Sequence, residues 1–171
     1  MPTAITETAP EVEVFRHEAK IIRQVVQMNV EGFTHEESLI QPSPAGNCLN
    51  WVMGHLLTIY ERMLPYMGQK AVLEPDALKR YVRGSSPLPD ATEALDFQVL
   101  LTAWNEANDR IDAGLANLTT EALDGPAPFS PSNNPKETVR SLITTALFHQ
   151  AYHSGQAGLL RRIAGKEGAI R

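Results

Sequence analysis

Apolar residues recur at steps of three and four along four long runs of this chain, and most of its prolines fall between those runs. The first run places Phe15, Ala19, Ile22, Val26, Asn29 or Val30, and Phe33 on one stripe, which predicts a helix from about Glu11 to Gly32. Gly32 suits its C-terminal stop. Residues 1–10 show no period and end in proline, so they read as a loose tail. A second helix is expected from Asn47, as cap, through Leu49, Val52, Leu56, Ile59 and Met63 toward Pro65 and Gly68. Asp90-Ala91-Thr92-Glu93 has the form of a capping box and opens a third, with Ala94, Phe97, Leu101, Trp104, Asn108, Ile111, Leu115 and Leu118 on one face. Asn134-Pro135-Lys136-Glu137 starts the last, which runs to about Ala164 before Gly165; residues 166–171 form a short C-terminal tail.

The stretches between these helices carry turn chemistry. Phe33–Gly46 holds Pro42, Pro44 and a glycine, which disfavours helix there. Gln69–Pro89 has weak periodicity, with a short helix expected over Asp76–Val82. That connection is longer than antiparallel neighbours need, so it allows the second and third helices to run parallel through a crossover. Thr119–Asn134 is a proline-rich connection. With no convincing strand pattern and no internal repeat, the expectation is one all-α domain over residues 11–165, a four-helix bundle.

Composition narrows the function. At 171 residues, 43% hydrophobic and 20% charged, the chain suits one soluble globular domain with a substantial core. A net charge of −5 without clustered Lys and Arg argues against a nucleic-acid surface. No apolar run approaches the roughly 18–20 residues that span a bilayer, and the N-terminus lacks the pattern of a signal peptide. No membrane association and a cytoplasmic location are therefore expected. The one cysteine, Cys48, cannot form an internal disulfide, which fits a reducing compartment.

The candidate chemistry is histidine. His149 and His153 stand four residues apart in the last helix, in register with Leu142, Ala146, Gln156 and Leu160, which directs both rings from the apolar stripe. His55 lies on or beside the stripe of the second helix. Such rings are either hydrogen-bonded core histidines or ligands of one metal ion, with the third ligand coming from another helix. Three neutral imidazoles leave a coordination position open for water or substrate, and zinc suits them best while nickel, iron and cobalt are also accepted. Asn50, Arg83, Tyr152 and Gln156 are candidate pocket residues, and Tyr81 and Arg83 either cover the end of the bundle or pack as ordinary surface. His17 and His35 read as solvated, Cys48 as a small buried residue, Asn29 and Asn108 as amides satisfied in the core or its rim, and Ser154 as directed away from His153. Neither a phosphate loop nor a GxSxG elbow is present.

Gly46-Asn47-Cys48-Leu49-Asn50-Trp51-Val52-Met53-Gly54-His55-Leu56, Leu118–Asp124, and His149-Gln150-Ala151-Tyr152-His153-Ser154-Gly155-Gln156 with Leu160-Arg161-Arg162 and Gly165 resemble the DinB-like (YfiT-type) superfamily over nearly the whole chain. The W-x-x-G-H and HxxxHxGQ segments carry that resemblance together. It implies an up-down-down-up four-helix bundle with a long crossover between helices two and three, often a homodimer. It also implies a divalent metal, zinc or nickel, held by His55, His149 and His153. The activities it implies act on a small-molecule substrate: a transferase or isomerase using a low-molecular-weight thiol, or a hydrolase using water. A non-catalytic metal-binding, dimerisation or sensing bundle is the alternative.

Overall fold

The computed structural model describes residues 8–74, 76–88 and 90–170. Six α-helices are present among them: α1 (Glu11–Val30), α2 (His35–Ser38), α3 (Leu49–Met63), α4 (Phe97–Leu115), α5 (Thr120–Asp124) and α6 (Val139–Ile163). The four long ones, α1, α3, α4 and α6, are the four expected runs, and no strand is present among the described residues. The fold is an all-α bundle.

Two of the long helices start at side-chain caps further along than those expected. Asp96, not Asp90, opens α4, its carboxylate accepting the amide protons of Gln98 at 2.8 Å and Val99 at 3.2 Å. Asp90 caps only a 3₁₀ turn over Ala91–Glu93, so Ala94 lies outside the helix. Likewise α6 begins at Val139 under a reciprocal box of Thr138 and Ser141, four residues beyond Pro135. Asn134 instead closes a turn by accepting from the Lys136 amide at 3.0 Å. Cys48, not Asn47, occupies the cap position of α3. Inside the connection expected to lack helix, Thr34 and Glu37 cap each other around the single turn of α2. The short helix expected over Asp76–Val82 reduces to a 3₁₀ turn at Lys79–Tyr81.

The core forms where four stripes meet. α1 packs on α6 and α4, and α3 packs on α4 and α6, so α1 and α3 hold opposite corners. Arg16 pairs with Asp112, Arg23 with Asp109 and Gln27 with Asn105, which sets α1 and α4 in opposite senses. Tyr60 stacks on Trp104 with ring centroids 5.4 Å apart and planes 4° from parallel. Further along, Met67 lies against Gly114, so α3 and its continuation follow α4 in the same order. α3 is buried around most of its circumference, including Trp51, Val52, Met53, Leu56, Leu57 and Tyr60, as a helix surrounded by others must be.

The ends are docked where they are described. Ala9 is 2% exposed and its amide donates to the Leu118 carbonyl at 3.2 Å, so the expected loose tail does not include residues 8–10; residues 1–7 lie outside the described part. After Gly165, at φ +78°, Lys166 Nζ donates to the Gly32 carbonyl at 2.8 Å and pairs with Glu37. No helix among the described residues is long and apolar enough to cross a membrane.

Candidate metal centre

His55 on α3 and His149 and His153 on α6 come together, each offering one ring nitrogen to a group whose members all lie within 4.8 Å of one another. Ring centroids are 4.9 Å apart for His55 and His149, 5.0 Å for His55 and His153, and 4.6 Å for His149 and His153. The Nε2 atoms of His55 and His149 stand 3.1 Å apart. Two imidazole nitrogens bound to one tetrahedral zinc at about 2.1 Å each stand about 3.4 Å apart, so the observed spacing needs only a few tenths of an ångström of opening to share an ion.

The neighbours of the rings determine where their lone pairs point. His55 Nδ1 is 2.7 Å from the Tyr81 carbonyl oxygen, which can only accept, so Nδ1 carries the proton and Nε2 of the neutral ring is bare. His153 Nδ1 lies 2.8 Å from Gln156 Oε1 and donates to it, leaving its Nε2 bare as well. This is the outer-layer arrangement that orients metal-binding histidines. His149 Nδ1 is buried without a protein partner, while its Nε2 faces His55. Trp51 stacks on His55, centroids 4.5 Å apart and planes 19° from parallel, which shields one ring face from water.

Electrostatics keep the rings neutral. Burial lowers the proton affinity of His55, the Tyr81 hydrogen bond opposes it, and the charges of His153 and Arg83 lower it further. His149 is pushed down to about 4 by burial and then by its two histidine neighbours. His153 is also lowered by burial, partly offset by Gln156. At neutral pH all three offer unprotonated nitrogen, the form a metal requires.

α3 projects His55 beside Gly54, where the backbone lies so close to the Tyr81 ring that any Cβ would overlap it. Tyr81 is fully buried, its hydroxyl donating to Asn50 Oδ1 at 2.9 Å and accepting the Leu95 amide at 2.7 Å. Asn50 Nδ2 donates to the Leu95 carbonyl at 2.9 Å, closing the cycle. Asn50 is therefore a buried support behind the histidines and not a pocket residue. Gln156 touches the cluster through His153, Tyr152 lies edge-on to His153 with centroids 5.1 Å apart, and Arg83 is exposed two residues after Tyr81.

On α6 the core line is Leu142, Ile143, Ala146, Leu147, Gln150, Ser154, Ala157 and Leu160. His149 and His153 are half-buried at its edge, not at its centre as the register suggested. Sequence reasoning passed over Gln150, whose Nε2 donates to the Leu56 carbonyl at 3.0 Å and ties the two histidine-bearing helices together. It also passed over the Tyr81 carbonyl, a main-chain group with no side-chain signature. His35, read as solvated, is half-buried and its Nδ1 accepts from the Phe97 amide at 3.3 Å. His17 is exposed, Asn29 and Asn108 donate to the carbonyls of Ser154 and Trp104, and burial raises the Cys48 thiol; none of them belongs to the histidine group.

A recess of about 500 Å³ lies elsewhere, between α1 and α4, bordered by the ion pairs of Arg16 with Asp112 and Arg23 with Asp109. It contains none of the three clustered histidines.

A family model described as the DinB superfamily matches residues 19–157. Among solved structures, a conserved protein of Enterococcus faecalis superposes with a TM-score of 0.70 at 16% identity, covering 94% of this chain and 100% of that one, which shows the shared fold. No curated protein matches the chain.

Proposed function

The chain belongs to the DinB superfamily, and from that premise we propose that it is a metal-dependent enzyme whose His55, His149 and His153 hold one divalent ion. The observation that carries this is the convergence of three imidazoles from two helices, with Nε2 of His55 and of His153 left bare by bonds at Nδ1. A divalent metal, zinc or nickel, supplies Lewis-acid activation there and makes a low-molecular-weight thiol or water nucleophilic toward a small electrophile.

The chain's own residues prepare the site for it. Tyr81 and Gln156 hold the tautomers of His55 and His153, burial keeps the rings unprotonated, and Trp51 covers His55. With three protein donors, room remains for substrate. The cytoplasm and a homodimer belong to the same proposal; exposed Leu159 and Ile163 on α6 support self-association, which light scattering tests.

The decisive experiment is metal analysis of the purified protein followed by a thiol-conjugation and hydrolysis screen, with His153→Ala as control. The reading requires about one equivalent of metal, and turnover that disappears in the variant. Turnover unchanged in His153→Ala overturns it.

A second reading rests on the 3.1 Å contact itself, which is also a hydrogen-bonding distance. In that case His149 donates to His55, the rings satisfy one another, and the bundle is a non-catalytic binding or sensing module. Absence of metal after growth in zinc- or nickel-supplemented medium, with no turnover, favours it.

A further inference from the structure

The crossover passes the histidines on anchored ground. Trp51 Nε1 donates to the Arg80 carbonyl at 3.1 Å and to Ser85 Oγ at 3.0 Å, and the Tyr81 carbonyl accepts from His55. Between these anchors Val82 to Ser85 form a turn, closed by the Ser85 amide on the Val82 carbonyl at 3.1 Å. Gly84 takes φ +84°, a conformation glycine adopts without strain. The turn raises Val82, 47% exposed, and Arg83 into solvent. Its anchor is the same Trp51 that stacks on His55, so the main chain at Arg83 is fixed two residues from the Tyr81 carbonyl that accepts from His55.

Arg83 has no hydrogen-bond or ion-pair partner among the described residues. Arg16, Arg23, Arg80, Arg110 and Arg140 are each held by a carboxylate. A guanidinium carries only donors and a positive charge, so it cannot itself ligate a metal ion. It suits an anion brought to that place: a guanidinium stays charged at all relevant pH and binds a carboxylate through two parallel hydrogen bonds. On the α6 side, Phe148 and Tyr152, the residues directly before His149 and the one before His153, are 70% and 66% exposed, and the Tyr152 ring touches His153. Large aromatic surfaces left in water beside a polar cluster mark a place where an apolar body binds.

We propose that the substrate of this site is a small carboxylate with an apolar or aromatic body, its carboxylate bound by Arg83 and its body lying against Phe148 and Tyr152. The proposal rests on the reading of the histidine cluster as the reaction site, and Arg83 acts in it as a specificity-determining residue.

Calorimetric titration of the full chain with phenylacetate and with its neutral counterpart phenylacetamide tests it, in zinc-loaded and metal-stripped protein. The expected result is at least tenfold tighter binding of the carboxylate in both forms. Arg83→Gln abolishes that preference, Arg83→Lys retains part of it, and Tyr152→Ala weakens both probes alike. Circular dichroism confirms that the variants fold. No binding of either probe, equal binding of the two, or a preference that survives Arg83→Gln overturns the proposal. A preference confined to the zinc-loaded form also overturns it, since the carboxylate then binds the ion and not Arg83. Metal content measured on the same samples separates the two questions. A wild-type protein that holds zinc without the preference refutes the role of Arg83 alone, whereas one that takes up no zinc refutes the metal reading.

Discussion

The main-chain oxygen of Tyr81 lies 2.7 Å from Nδ1 of His55, across 26 residues of chain. Tyr81 is itself immobilised, its ring pressed on the Gly54 backbone and its hydroxyl locked between Asn50 and the Leu95 amide. The orientation of one histidine is thereby tied to the packing of the whole crossover.

Gly54→Ala tests that tie. In an exposed helix interior such a change stabilises by about 1 kcal/mol. Here the added Cβ overlaps the Tyr81 ring, and forcing an atom into a packed core costs about 1–3 kcal/mol. The steric term wins, so the variant is expected to be net destabilised in urea titrations and to bind zinc more weakly, as the Tyr81 carbonyl is displaced from His55. Tyr81→Phe, which keeps the ring but leaves the Leu95 amide without its hydroxyl acceptor, should lose about 1–3 kcal/mol of stability with a smaller effect on zinc.

Gln156→Ala removes the acceptor for His153 Nδ1 while leaving every candidate metal-binding ring in place. Loss of such an outer partner typically weakens metal binding by about 10- to 100-fold. Competition with a chromophoric chelator should show a loss in that range, with a urea midpoint close to wild type because Gln156 is only half-buried. An unchanged affinity would mean that the glutamine does not orient the ring.

The pH dependence follows from the lowered proton affinities of the three histidines. In the metal-free protein His149 titrates near 4 against an ordinary value of 6.5, so between those values the unfolded chain binds more protons than the folded one. Stability is then fully present above pH 6.5 and falls as the pH drops toward 4. Urea unfolding in chelator at pH 7.5, 6 and 5 should show this decline, and His149→Ala should make it shallower, leaving the part due to His55 and His153. Zinc should make the decline steeper, because protons and metal compete for the same nitrogens.

Much of the architecture was legible in local pattern. Helix periodicity depends on neighbours three and four residues away, so α1, α3, α4 and α6 appear wherever apolar residues recur at that spacing. The starts of α4 and α6 lie six and four residues beyond the expected caps Asp90 and Asn134 because several cap sequences stand in line.

The histidines themselves were readable by type and spacing, since one helix turn brings His149 beside His153 whatever surrounds them. The amino-acid sequence alone therefore determined the helical bundle and the three imidazoles available to it. Only the tertiary structure brought His55 to them, turned Asn50 away into a support for Tyr81, moved both α6 histidines to the edge of the core and placed Arg83 on an anchored turn near the cluster. The physical reason is that these relations run through main-chain carbonyls and contacts between residues far apart in the chain, and neither leaves a periodic signal in the order of side chains.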